Sequence, residues 1–198
     1  MPVSINGNTG VITGIAVGGL PDGIVDTDML ASGAVTAAKR GAGAILQVVQ
    51  VAPNSGSSVS FSTTSTSGQH ISALDTSITP VAANSKLFVM VNCRTQNDYG
   101  TDANGRHSLS MTRTVASGTE SNTLLQGFNG VYGYDGSGRN NYLNHAMTLL
   151  DTPSYSLGQA IVYKFFLNSD DSDNTARVYL DSSNSFPRSS ITIMEVAA

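Results

Sequence analysis

The run Leu87-Phe88-Val89-Met90-Val91 puts Leu87, Val89 and Val91 on one side of an extended chain and Phe88 and Met90 on the other. A strand with one wet face alternates apolar and polar residues, so a run that is apolar on both sides is covered on both sides. Cys93 continues the first side as a small buried hydrophobe.

Outward from this run the same period of two recurs. Strands are predicted at 44–52, 58–62, 70–78, 85–94, 106–114, 141–150, 158–167, 174–182 and 190–196, with a short one at Thr123-Leu124-Leu125. Clusters of Gly, Asn, Asp, Ser and Pro separate them, and no 3.6-residue stripe follows residue 45. The fold class is therefore all-β, a two-sheet antiparallel jelly-roll sandwich.

Some strands alternate. His107, Leu109 and Met111 oppose Arg106, Ser108, Ser110 and Thr112; Ala176, Val178 and Leu180 oppose Thr175, Arg177 and Asp181; Leu143, Met147 and Leu149 oppose Asn144, Ala146 and Thr148. Others do not. Ile161, Tyr163, Phe165 and Leu167 are backed by Val162 and Phe166, Ile191 and Ile193 by Met194 and Val196, and Leu46 and Val48 by Ile45, Val49 and Val51. A sandwich buries one face of each sheet, so these strands together with 85–94 are expected to form one sheet that something else covers. No helix is on offer, and another copy of the chain is the economical cover. Phe88, Met90, Val162, Phe166 and Met194 are the expected interface residues of a homotrimer. Burying about five such side chains yields roughly 10 kcal/mol per subunit before association costs.

Before residue 43 the pattern differs. Gly7, Gly10, Gly14, Gly18, Gly19, Gly23 and Gly33 punctuate single apolar residues, which cannot close a core within one chain. The chain divides into a Gly-rich N-terminal stem, 1–42, and a head, 43–198. Capped helical turns are expected at Asp26–Ala31 and Ala34–Lys39. Such short units need neighbours, and symmetric copies wound about one axis would supply them.

Composition narrows the function. Only 12% of the 198 residues are charged, against about 25% in an ordinary soluble domain, and hydroxyls, amides and glycine replace them. A net charge of −4, with ten scattered Lys and Arg, offers no basic stripe for nucleic acid. A single cysteine excludes an intramolecular disulfide and a Cys-based zinc site. No apolar stretch reaches the ~20 residues of a membrane span, and no basic segment precedes an apolar block at the N-terminus. A soluble chain without a secretory signal is expected.

The segments Ile5-Asn6-Gly7-Asn8-Thr9-Gly10, Asp22–Ala31 and Gly33–Lys39 resemble the stems of tailed-phage tail fibres and other virion structural proteins. The head is similar in pattern to the trimeric jelly rolls of the tumour-necrosis-factor and complement globular-head type. Ala44–Gln50 resembles their first strand, Ile78-Thr79-Pro80 with Asn84–Val89 their strand pair about a Thr-Pro turn, and Ser190–Val196 their closing strand; 95–140 matches poorly. The resemblance implies that the first, third, sixth and last strands form the trimer-facing sheet, and that the stem attaches to other virion proteins. It also implies a fibre at the particle surface, its head meeting a host glycan or protein. A capsid decoration or head-fibre protein is the alternative, and a glycan-degrading tailspike a more distant one.

No residues converge on catalysis. His70, His107 and His145 invite pairing with Asp151, but there is no Gly-x-Ser-x-Gly elbow and no His-Glu-x-x-His pair, and the apolar neighbours of His107 and His145 place them near the core. Asp170-Asp171-Ser172-Asp173-Asn174 lacks the glycine and distal glutamate of a calcium loop and reads as a solvated turn. No cofactor and no metal are expected. The best binding candidates are Tyr99 and Asp102 in one connection and Tyr132, Tyr134 and Asp135 in another, where rings, amides and carboxylates suit glycan or protein recognition. Solvated loops are the competing reading.

Overall fold

A computed structural model describes residues 4–6, 11–13, 30–36, 39–53, 60–98, 104–116, 118–132, 140–180 and 188–198. The chain forms two compact units, Met1–Lys39 and Arg40–Ala198. In the first, β1 (Ser4–Asn6) pairs antiparallel with β2 (Val11–Thr13), Ile5 opposite Ile12. Lys39 N donates to Thr36 O, closing one turn, and Ala34 N donates to Ala31 O. Most of the helical turn expected at 26–31 lies outside the described residues.

The second unit contains β3 (Ile45–Val51), β4 (Ser60–Thr63), β5 (Gln69–His70), β6 (Thr76–Ile78), β7 (Lys86–Asp98) and β8 (Asn104–Val115). They are followed by β9 (Leu125–Tyr132), β10 (Asn140–Asp151), β11 (Ile161–Ser169), β12 (Thr175–Tyr179) and β13 (Ser190–Val196). All pair antiparallel in two sheets. The first runs β3-β13-β7-β10, with β12 and β4 extending from the far half of β7; the second runs β5-β11-β8-β9, with β6 also on β11. After β7 the chain crosses to the second sheet for β8 and β9, returns for β10, crosses again for β11, and comes back for β12 and β13. This is the jelly-roll sandwich that the period-two pattern predicts.

The two sheets close on Leu87, Val89, Val91, Ile191 and Ile193 from one side and on Leu109, Met111, Ile161, Tyr163, Phe165 and Leu167 from the other. On one flank of β7, β13 pairs with residues 86–92 and β12 with residues 94–98. Buried Ser189 fills the junction, its hydroxyl accepting from Arg94 N at 3.3 Å and donating to Tyr179 O.

Three expectations are corrected. The strand at 161–169 belongs to the second sheet, so the strands apolar on both faces do not form one sheet; β10 stands in its place beside β7. The reason is local: Phe166, on the outer side of β11, is covered in part by its own chain, where Gly68 packs on it and the His70 ring lies 5.3 Å away, and its remaining surface stays open. The strand expected at 70–78 is broken into β5, a 3-10 turn at Ser72–Leu74 and β6. Ile71 and Leu74 are both buried, and Ile71 N donates to Phe165 O while Leu74 N donates to Ile71 O, so the turn seats two apolar residues that an extended strand would point apart. Finally, 125–132 is a full strand where only a short one at 123–125 was expected.

Candidate functional site

The outer face of the first sheet carries a continuous apolar surface. Val48, Met194, Phe88 and Leu150 stand in register across β3, β13, β7 and β10. Each points away from the core, because its strand neighbours Val49, Ile193, Val89 and Leu149 point into it. Val48 is 55% exposed, Leu150 51% and Met90 39%, with Ile45 and Val196 extending the patch. The same face turns polar towards the other end of β7. There the Arg94 guanidinium lies 4.9 Å over the Tyr142 ring, Tyr142 and Tyr179 are 6.2 Å apart, and the Tyr179 hydroxyl donates to Gln96 Oε1.

Of the expected interface residues, the structure brings together Phe88, Met90 and Met194. Val162 and Phe166 lie on the outer face of the second sheet, which is otherwise polar: Ser110 and Gln126 sit in register with Phe166, and Thr114 with Val162. A groove of about 330 Å³ crosses that face. Ser110, Thr112, Gln126 and Asn168 line it beside Phe166, with Glu120 and Thr123 on one side and Thr66 and Gly68 on the other.

Tyr99, Asp102, Tyr134 and Asp135 lie outside the described residues. Tyr132 is the last residue of β9 rather than part of a loop.

Asp151 does not pair with a histidine. Its carboxylate accepts two bonds from the Arg113 guanidinium, at 2.5 and 2.6 Å, and one from the Tyr163 hydroxyl at 2.6 Å, tying β8, β10 and β11 at one end of the interior. Burial, then the hydrogen bond to Asp151, pushes the Tyr163 phenol well above its usual range. At the other end His107 bonds through Nε2 to Thr95 Oγ1 at 2.6 Å, and the His145 ring is 5.7 Å away edge-on. His107 Nδ1 and His145 Nε2 are buried with no hydrogen-bond partner among the described residues. Burial, then repulsion from His145, lowers His107 from 6.5 to about 4, and burial lowers His145. These two are core histidines, as their neighbours indicate. His70 is a surface group, 2.8 Å from Asp75.

The acidic stretch at 170–174 is a hydrogen-bonded turn. Asp170 meets Arg106 Nε at 3.0 Å, and Asp171 Oδ1 accepts from Asp173 N at 3.0 Å.

One structural site was missed in the sequence analysis. Glu195 is fully buried, although its strand position suggests a lone polar residue among Ile and Met. Its carboxylate accepts from Val81 N, Ala82 N, Ser85 Oγ and Gln47 Nε2 at 2.7–3.1 Å. Burial alone would raise its pKa, but these donors together hold it below the usual carboxylate value. Alternation alone would have marked 195 as inward-facing; its partners, more than a hundred residues away, could not be anticipated.

No family model and no curated protein matches the chain. Among solved structures it is similar to the Eiger TNF of S. frugiperda, at 16% identity and a TM-score of 0.33, over 58% of this chain and 61% of that one. It is also similar to infectious bursal disease virus, Gt strain, at 13% identity and a TM-score of 0.32, over 77% of this chain and 36% of that one. A third is the VP2 subviral particle of the same virus, at 12% identity and a TM-score of 0.29, over 77% and 37%. The chain thus spans less than two thirds of each of these proteins, and likeness at this level bears on neither activity nor assembly.

Proposed function

We propose that this chain is a non-enzymatic structural protein of a bacteriophage particle, a homotrimer whose apolar first sheet is turned inward upon its own copies. The observation that carries this reading is the row Val48, Met194, Phe88 and Leu150, apolar across four adjacent strands and facing outward. A contiguous apolar patch on a sheet face marks an association surface. Completing the burial of these side chains, each worth at most about 1.5–3 kcal/mol, contributes favourably to association. Three copies and a phage particle follow the resemblance of stem and head; the 1–39 unit docks on other virion proteins, and the head is presented to a host glycan or protein.

A capsid decoration protein would use the same surfaces and differs only in what the stem touches. The tailspike reading draws no support from Asp151 and Glu195, which are buried and engaged with Arg113, Tyr163 and backbone amides rather than facing each other across a cleft. The deciding measurement is the solution mass of the intact chain, expected near three times 20.5 kDa; a stable monomer overturns the reading. A map of the particle resolving residues 1–39 then separates tail from capsid. Replacing Tyr99, Tyr132 and Tyr134 by Ala is expected to reduce adsorption to the host with mass unchanged; unchanged adsorption removes these residues from recognition.

A further inference from the structure

The outer face of the second sheet carries a groove that plays no part in closing the sandwich. Its floor is sheet interior, since β11, β8 and β9 pair with one another along it, so no free strand edge is available there to bind an extended peptide. Its volume of about 330 Å³ sits at the small end of ligand sites, roughly 300–1,000 Å³.

The polar groups in it are held in place. Glu120 is fixed through both oxygens, by Thr112 Oγ1 at 2.9 Å and Lys164 Nζ at 3.0 Å. Gln126 Nε2 donates to Ser108 Oγ at 3.2 Å, and the Ser108 hydroxyl donates to Asn168 Oδ1, which leaves Gln126 Oε1 as an acceptor. Gly68 lets the wall close on Phe166: a Cβ there would come within 3.3 Å of the Phe166 Cβ.

The lining chemistry selects the ligand class. A phosphate or nucleotide calls for free cations, whereas the charged side chain lining this groove is Glu120, and the nearby Lys164 ammonium is engaged with its carboxylate. A hydrocarbon ligand would desolvate Gln126 Oε1 and the Ser110 hydroxyl without supplying a partner for either. A compact polyhydroxyl with one apolar side satisfies both the ring and the amides. We infer that the groove between Phe166, Gln126 and Glu120 is a saccharide-binding site that takes one pyranose ring, C–H face on Phe166 and hydroxyls towards Glu120, Gln126 and Asn168. A single carboxylate binds without cleaving, because glycoside hydrolysis uses two carboxyl groups flanking the bond. The inference rests on the proposal above in one respect: turning the first sheet inward leaves this face outward on every copy, so weak single sites gain by multivalency.

The test is saturation-transfer NMR on the full chain with the methyl glycosides of glucose, galactose and N-acetylglucosamine at millimolar concentration. Transfer to the sugar C–H protons of at least one is expected, with a single-site Kd of about 1 mM. Phe166→Ala, Gln126→Ala and Glu120→Gln are each expected to weaken it by roughly tenfold. Gln126→Ala and Glu120→Gln do not touch the Gly68 packing, so the outcome stands even if Phe166→Ala misfolds. Absence of transfer to all three glycosides by folded protein, or equal transfer by the folded variants, overturns the site. Mass is measured on the same sample: a trimer that does not bind removes the groove alone, and a monomer that binds removes the assembly alone.

Discussion

Met194 stands directly opposite Phe88 across the β13–β7 pair, and Phe88 stands opposite Leu150 across β7–β10, all three on the side of the sheet that faces away from the core. Changing either neighbour of Phe88 therefore alters the same continuous surface. Phe88→Asp or Leu150→Asp is expected to yield a folded monomer by light scattering. Val162→Asp, on the opposite outer face, should leave the oligomer mass unchanged; loss of assembly in that variant would move the interface to the second sheet.

The head should fold without the stem. Residues 40–198 contain both sheets of the sandwich and, among the described residues, all of the hydrophobic core. A chain starting at Arg40 is expected to keep the number of copies and the thermal midpoint of the head while failing to enter particles. Normal incorporation would show that the stem is not the anchor.

Acid should loosen the head before the carboxylates titrate. In the folded state His107 takes a proton only near pH 4, whereas the unfolded chain takes it near 6.5. The unfolded state thus binds more protons between those values, and stability present above 6.5 is lost as pH falls towards 4, by roughly 3 kcal/mol for His107 alone. His145 is shifted in the same direction. Urea midpoints measured across this range should fall with pH, and His107→Gln should flatten the slope. Because Glu195 is shifted below its usual value, its own contribution disappears only at still lower pH.

Glu195 joins the last strand to the turn that leads into β7, through Val81, Ala82 and Ser85. Glu195→Ala removes the acceptor of buried Ser85 and of the partly buried Val81 and Ala82 amides, and is expected to cost about 2–4 kcal/mol by denaturant unfolding. A change under about 0.5 kcal/mol would mean that the turn finds other acceptors.

Gly127 shows why β9 was hard to see. An added Cβ would lie 2.6 Å from His145 Nδ1 and 2.7 Å from Met147 Sδ, so β9 needs glycine to pass over β10. Gly127→Ala should cost about 1–3 kcal/mol through overpacking, seen as a lower thermal midpoint with assembly intact.

In the sequence, Gly127, Asn129 and Gly130 look like turn residues, and this masked a strand whose glycine answers a close approach. Apart from the break at Ser72–Leu74, the other strand positions and inward faces were legible, because alternation records which side meets the core: Leu87 and Val89, Leu109 and Met111, Ile191 and Ile193 all lie where the period of two puts them. Sheet membership was not. Val162 and Phe166 look as apolar as Phe88 and Met90, yet what partly covers Phe166 is a segment of its own chain around Gly68 and His70, and alternation carries no information about the identity of the cover. The groove was invisible for a similar reason, since Glu120, Gln126 and Phe166 come from separate segments that only the β11-β8-β9 register assembles.

The placement of β13 bears on biosynthesis. It lies between β3 and β7, bonded to both, so during translation the edges of Ile45–Val51 and of Lys86–Asn92 stay open until residues 190–196 have left the ribosome. Two unpaired edges flanked by an apolar face are a hazard on a polysome, where neighbouring nascent chains are crowded and can pair edge to edge. Slow synthesis or a stall between residues 98 and 190 would prolong that exposure, and yield in the cell would then depend on elongation rate and chaperone supply rather than on the stability of the finished head.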